Sequence, residues 1–229
     1  MNIKIVDNAK LATGLAVIID VFRAFTVEPY LISNGAQKLI PVADKQIAYD
    51  YKKENINYIL IGERDGIKLP GFDYGNSPSQ IENVDFSGKI VVHTTSCGTQ
   101  GIAGAINAKE IITGSLVNAK AITKYIIKNN IDEISLVTLA KDGYPAFDED
   151  VLCAKYIKNM LENKNDLDMN SEIEKLKTTT GSKFFNTEKQ SDFPEKDFYL
   201  CTELNKFEFI LKVNKDKKEN LYVEKINIL

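Results

Sequence analysis

The sequence predicts an α/β protein, a β-sheet with helices packed on its faces. Three observations lead there. Short β-branched runs alternate with helical patterns through the first two thirds of the chain. Leu15–Ile19 is an unbroken apolar run, as expected of a strand buried on both faces. The 229 residues, 44% hydrophobic and 27% charged, are ordinary for a soluble globular protein and enough for one large domain or two small ones.

Strands are expected at 3–6, 15–20, 38–42, 58–62, 90–95, 110–113 and 133–139, and helices at 27–34, 44–54, 99–107 and 116–129. The last helix sets Leu116, Ala119, Ile122, Ile126 and Ile127 on one side at helical spacing. A longer helix follows over 148–162, with Val151, Ala154, Ile157 and Leu161 as its buried stripe. Residues 163–170 are polar and read as a surface connection, 171–177 as a short helix, and 178–194 as rich in turn-formers. The segments 198–202, 207–213 and 221–228 look strand-like. No repeat or boundary divides the chain. Residues 1–229 are read as a single α/β domain, with about 164–229 elaborating it.

A net charge of -3 gives no general attraction to nucleic acid or to an anionic membrane. Affinity for an anion must therefore come from a local site. The N-terminus lacks a signal-peptide core, and no run approaches a membrane span. Cys97, Cys153 and Cys201 are odd in number and form no CxxC pair, which favours a reducing cytoplasm. The single histidine excludes a metal site built on several imidazoles. Of 29 basic residues only Arg23 and Arg64 are arginine. Against that lysine bias, a retained arginine points to a need for the forked guanidinium that grips phosphate, carboxylate or sulfonate.

Open α/β sheets bind ligands beyond the carboxyl ends of their strands, and four such places stand out. At Asp20–Val21–Phe22–Arg23–Ala24, an Asp could bind a metal, attack phosphorus or cap the next helix, and Arg23 could hold a phosphoryl oxygen. Phe22 stands where the haloacid dehalogenase phosphatases need a second Asp, which excludes them. The second place is the long excursion from Gly62 to Pro78. It offers Glu63 as an oxygen ligand, Arg64 as an anion clamp, and Asn76 and Ser77 as neutral hydrogen-bonding groups. The third, Thr94, Thr95, Ser96, Cys97, Gly98 and Thr99, ends a strand in hydroxyls before Gly98 opens a helix whose free amides attract an anion. It is neither a Walker loop nor a tyrosine-phosphatase loop, since GxxxxGK[ST] is absent and Ala103 stands where the latter needs Arg. Cys97 and His93 read as structural residues there. The fourth, Asp148, Glu149 and Asp150, complements a helix dipole, but three adjacent carboxylates repel one another and a divalent cation would relieve them.

Taken in this order and spacing, Asp20–Ala24, Gly62–Arg64 with Pro70–Pro78, Thr94–Thr99 and Glu149–Cys153 resemble the 2-phosphosulfolactate phosphatase family. Its members in coenzyme M synthesis dephosphorylate 2-phosphosulfolactate to sulfolactate. The resemblance implies a three-layer α/β/α fold around a mixed sheet and dependence on Mg²⁺. The family usually has Asn where Cys97 stands, Arg at Gln100, a second Gly at Asp65, and an Ala-Gly pair at Ala140–Lys141. These departures surround the anion loop and bear on substrate identity rather than on reaction type.

The expected site follows. Asp20, Glu149 and Asp150 hold Mg²⁺. Asp20, Arg23 and Arg64 serve catalysis. Glu63, Asn76, Ser77, Thr94, Thr95, Ser96, Gly98 and Thr99 contact a small anionic phosphomonoester. No nucleic acid or membrane partner is expected, and the chain could act as a homodimer. Two other readings use the same pocket: a non-catalytic sensor of a phosphorylated metabolite, and a phosphatase for a different small phosphomonoester.

Overall fold

The computed structural model describes residues 1–140 and 145–228. Among them, ten strands form one mixed sheet in the order β1-β8-β2-β7-β9-β10-β3-β6-β4-β5, with helices on its faces, a three-layer α/β/α arrangement. The strands are β1 Asn2–Val6, β2 Leu15–Ile19, β3 Lys38–Pro41, β4 Ile59–Arg64, β5 Ile67–Lys68, β6 Ile90–Thr94, β7 Glu110–Gly114, β8 Glu133–Thr138, β9 Phe209–Lys215 and β10 Leu221–Asn227. The α-helices are α1 Ala24–Ser33, α2 Lys45–Glu54, α3 Pro78–Ile81, α4 Gly98–Gly104, α5 Ala119–Lys128, α6 Asp148–Leu161, α7 Met169–Leu176 and α8 Glu195–Thr202.

β2 shows why the sheet has two covered faces. Leu15, Val17 and Ile19 join one apolar cluster with α5 and α6, while Ala16 and Ile18 join another with α4. Alternate residues of a strand point to opposite faces, so a strand apolar at every position must be covered twice. Each Val, Ile or Leu so buried contributes about 1.5–3 kcal/mol.

The sheet has two parallel blocks, β1-β8-β2-β7 and β3-β6-β4. The antiparallel hairpin β9–β10 from the C-terminal third is inserted between them. Three reversals leave the blocks running in opposite senses along the ladder. The right-handed twist of about 20–25° per step accumulates over the five steps from β2 to β6 to roughly 100–125°. That turns the loops after β2 and β6 towards each other. α1 is enclosed where the blocks meet, and Ala24 through Leu31 are buried on every side. Its Glu28 touches Thr113 on β7 and His93 on β6.

Most predicted elements appear within a few residues of their expected bounds. α1 begins three residues earlier than expected, directly behind Arg23. The segment 198–202, expected as strand, is instead the end of helix α8. Its apolar run is short, and Phe198 and Cys201 fall three apart on the buried face while Tyr199 is exposed. The long excursion after β4 is partly a tight hairpin, with β5 pairing back on Glu63 and Arg64.

Candidate active site

A cavity of about 230 Å³ opens where the ends of β2, β4 and β6 meet the first turn of α6. Asp20, Arg23, Glu63, Ser96, Asn76, Glu149 and Asp150 line it, joined by Lys183 and by the rings of Phe22, Phe147 and Phe193. Chain segments far apart in sequence thus supply one site.

Three buried carboxylates form its acidic side. Asp20 follows β2 directly, and its Oδ1 accepts the Ala24 amide at 3.0 Å, so it caps α1 as well as facing the cavity. Gly98 lets the facing helix approach: a Cβ there would stand 2.9 Å from Asp20 Oδ2. Asp150 Oδ1 accepts the Val21 amide at 2.8 Å, tying α6 to the turn after β2. Among the described residues, Glu149 Oε2 is buried without a hydrogen-bond partner, which is costly for a carboxylate oxygen. Burial pushes the Asp20 carboxyl up to about 7, with the charges of Glu63 and Glu149 adding and the Ala24 amide opposing. Burial also raises Glu149, against the pull of Lys183 and of the Thr180 hydroxyl. Asp150 is raised well above the usual range by burial, then by Glu149 and Asp20.

The two arginines take different places. Arg23 lines the cavity, but its guanidinium is already engaged. Nη1 donates to Asp197 Oδ2 at 2.8 Å and to the Asp192 carbonyl at 2.7 Å, and Nη2 donates to the Gly66 carbonyl at 3.0 Å. The Phe193 ring lies 4.9 Å from it. Phe193 also packs on Gly66, where φ is +83° and a Cβ would stand 2.2 Å from the ring. Arg64 is not brought to the cavity. It donates to the carbonyls of Glu63 and Ala43 and to Thr94 Oγ1, beside Gln100 in a separate shallow depression. The cation that sequence reasoning missed is Lys183, held 5.4–5.7 Å from the rings of Phe22, Phe184 and Phe193. As one lysine among many in a turn-rich stretch, it carried no compositional contrast.

The polar wall divides similarly. Glu63 is a brace: Oε1 accepts the Ser96 amide at 2.7 Å, and Oε2 accepts the Gly66 amide at 2.6 Å and Ser96 Oγ at 3.0 Å. Thr95 and Thr99 bond to each other, amide to hydroxyl in both directions. Thr94 serves Arg64, and Ser77 Oγ donates to Asp197 at 2.8 Å. Ser96 and Asn76 are the predicted neutral groups that line the cavity. Of the positions that depart from the family pattern, Cys97 and Asp65 line it, Gln100 bonds to the Ala43 carbonyl outside it, and Lys141 lies outside the described residues. His93 is fully buried with a partner on each ring nitrogen.

The site thus defines an α/β protein that gathers buried carboxylates, a braced hydroxyl loop and Lys183 around a small cavity. Residues 3–216 match the family described as 2-phosphosulpholactate phosphatase, and the chain belongs to that family. A relative from Bacillus subtilis (strain 168) is 31% identical over 201 residues, 87% of each chain. One from Caldicellulosiruptor saccharolyticus is 40% identical over 169 residues, 72% of this chain and 69% of its own. One from Thermoplasma volcanium is 38% identical over 165 residues, 71% of this chain and 76% of its own. Each of the three carries the name "Probable 2-phosphosulfolactate phosphatase". Among the described residues, no helix is long and apolar enough to cross a membrane.

Proposed function

We propose that the chain is a cytoplasmic, Mg²⁺-dependent phosphatase that hydrolyses 2-phosphosulfolactate, or a closely similar small phospho-acid, to the hydroxy acid and phosphate. The observation that carries this reading is Glu149 Oε2, unpartnered among the described residues and buried beside Asp20 and Asp150 in the cavity of a chain from this family.

These carboxylates are hard oxygen donors whose mutual repulsion a divalent cation relieves, so in kind they fit Mg²⁺. Among the described residues, no three such side chains are already gathered as a ligand cluster. Mg²⁺ needs no preformed cage, because it completes its shell with water and substrate oxygens. Asp20, Glu149 and Asp150 would hold it. When bound, Mg²⁺ polarises the phosphoryl oxygens and offsets their charge.

The chain's own residues supply the rest. Lys183 and the Asn76 amide neutralise or hydrogen-bond the substrate's anionic oxygens, where phosphoryl transfer gains most of its stabilisation. Phe22, Phe147 and Phe193 screen that end of the cavity from bulk water, strengthening those contacts. Arg23 shapes the wall through Gly66 and Asp192. In the reaction water adds to phosphorus, the ester P–O bond breaks, and the leaving alkoxide takes up a proton.

The test is phosphate release from a panel of phosphomonoesters that includes 2-phosphosulfolactate, with and without a chelator. Release from 2-phosphosulfolactate that stops with chelator and returns with Mg²⁺ is expected. Thermal stabilisation by the esters without any release would replace the enzyme with a sensor.

A further inference from the structure

We propose that Glu28 and His93 are positioning residues, which hold Asn76 so that its amide N–H groups face the cavity as donors to the substrate's anionic oxygens. The proposal rests on the phosphatase reading for what those donors touch, and on geometry alone for how they are held.

Glu28 on α1 and His93 on β6 are both fully buried. His93 Nδ1 lies 3.1 Å from Glu28 Oε1, and Nε2 lies 3.2 Å from Asn76 Oδ1. Thr113 Oγ1 on β7 donates to Glu28 Oε2 at 3.1 Å, fixing the carboxylate from the other parallel block. An amide oxygen only accepts, so Nε2 must carry a hydrogen. Nδ1 faces the Glu28 carboxylate, which holds the ring from its other edge.

With Asn76 Oδ1 occupied, only Nδ2 remains to face elsewhere. Asn76 is 5% exposed and lines the cavity, and among the described residues its Nδ2 donates to nothing. Ser77 after it is tied to Asp197, and Tyr74 before it exchanges backbone hydrogen bonds with β4, so the backbone carrying Asn76 is held on both sides. A buried ionisable pair is seldom retained for stability, since apolar packing of the same volume commonly does as well. Where this network opens onto the cavity, it does so through Asn76.

A double-mutant cycle on phosphate release tests the coupling. Asn76→Ala should lower kcat/KM about 10- to 100-fold, the loss of one hydrogen bond to a charged group. Glu28→Gln should lower it about 3- to 10-fold, and the double variant should be no worse than Asn76→Ala alone. Losses that multiply would overturn the proposal, because Glu28 would then act independently of Asn76.

Because His93 is the chain's single histidine, a ¹⁵N imidazole spectrum of the wild type gives a second readout that needs no turnover. A protonated Nε2 whose signal shifts on adding inorganic phosphate, and does not shift in Asn76→Ala, supports the arrangement. An unprotonated Nε2 would mean that the amide faces the other way, and would overturn it. A wild type that releases phosphate from no ester sinks the phosphatase reading instead, and leaves the Nε2 result to decide the orientation of Asn76.

Discussion

Two groups of buried charges meet at this cavity, and they are treated differently. On one side the charge of Arg23 is answered: Asp197 meets it at 2.8 Å, and Asp197 itself is fully buried and accepts from Ser77 and from the Ser79 amide. On the other side burial raises the affinity of Asp20, Glu149 and Asp150 for protons, Glu149 adds to the rise of both aspartates, and among the described residues one of their oxygens has no hydrogen-bond partner. The first group is a joint, fastening the C-terminal third to the turn after β2. The second conflicts with folding on its own, and such unresolved conflict is where a ligand is expected to act. A charged residue beside a cavity is therefore not evidence of a binding role until its partners are counted.

The sharpest way to break this contrast is Asp20→Asn. Turnover should fall by at least about 10³-fold, as expected for loss of a group needed for the chemistry. At pH 8 with chelator the variant should melt higher than wild type, by roughly 2–4 °C per kcal/mol of relieved repulsion. A lower melting point would place Asp20 among the satisfied charges.

Asp197→Ala should do the reverse to stability. Leaving Arg23 buried and unanswered should cost about 3–5 kcal/mol in urea unfolding. A cost below about 1 kcal/mol would mean that Arg23 is free to reach the ligand, as at an ordinary exposed pair.

A pH series sharpens the acidic side. Carboxyls whose folded affinity for protons is raised keep them after the unfolded chain has released its own, so stability should fall as pH rises. With chelator the wild type should lose melting temperature from near the unfolded value, 3.8, to the folded value of Asp20, about 7, and Asp20→Asn should lose less. Added Mg²⁺ should flatten the slope. An identical slope in both proteins would remove Asp20 from the effect.

The smallest change belongs to Arg64→Lys. Because this guanidinium is spent on Glu63, Ala43 and Thr94 outside the cavity, kcat/KM should stay within about twofold, the reach of ~0.5 kcal/mol. A tenfold loss would bring Arg64 into the site.

Much of the frame was legible because it is written in local patterns. The unbroken run in β2, the helical stripe of α5 and the alternation of strand with helix each follow from burial acting on neighbouring residues. The helical run 198–202 was not, because five residues with four apolar positions fit either period. In the site, Asp20, Glu149, Asp150 and Ser96 were legible from their places at strand and helix ends and Asn76 from the long excursion, and they do line the cavity. Arg64 sits among them in sequence but turns away in space, because neighbouring residues of a strand point to opposite sides and its neighbour Glu63 faces the cavity. Lys183, Asp197 and Glu28 had no local signature at all.

The sequence by itself determined the α/β class, the family, and the segments that end at the site, since residue type and spacing carry those. Which charges are matched and which are left in conflict was decided only by tertiary structure. Partnership is a matter of ångströms between residues such as Arg23 and Asp197, 174 positions apart, and it follows from a hairpin inserted between two oppositely running blocks of a twisted sheet. No one-dimensional pattern encodes that distance.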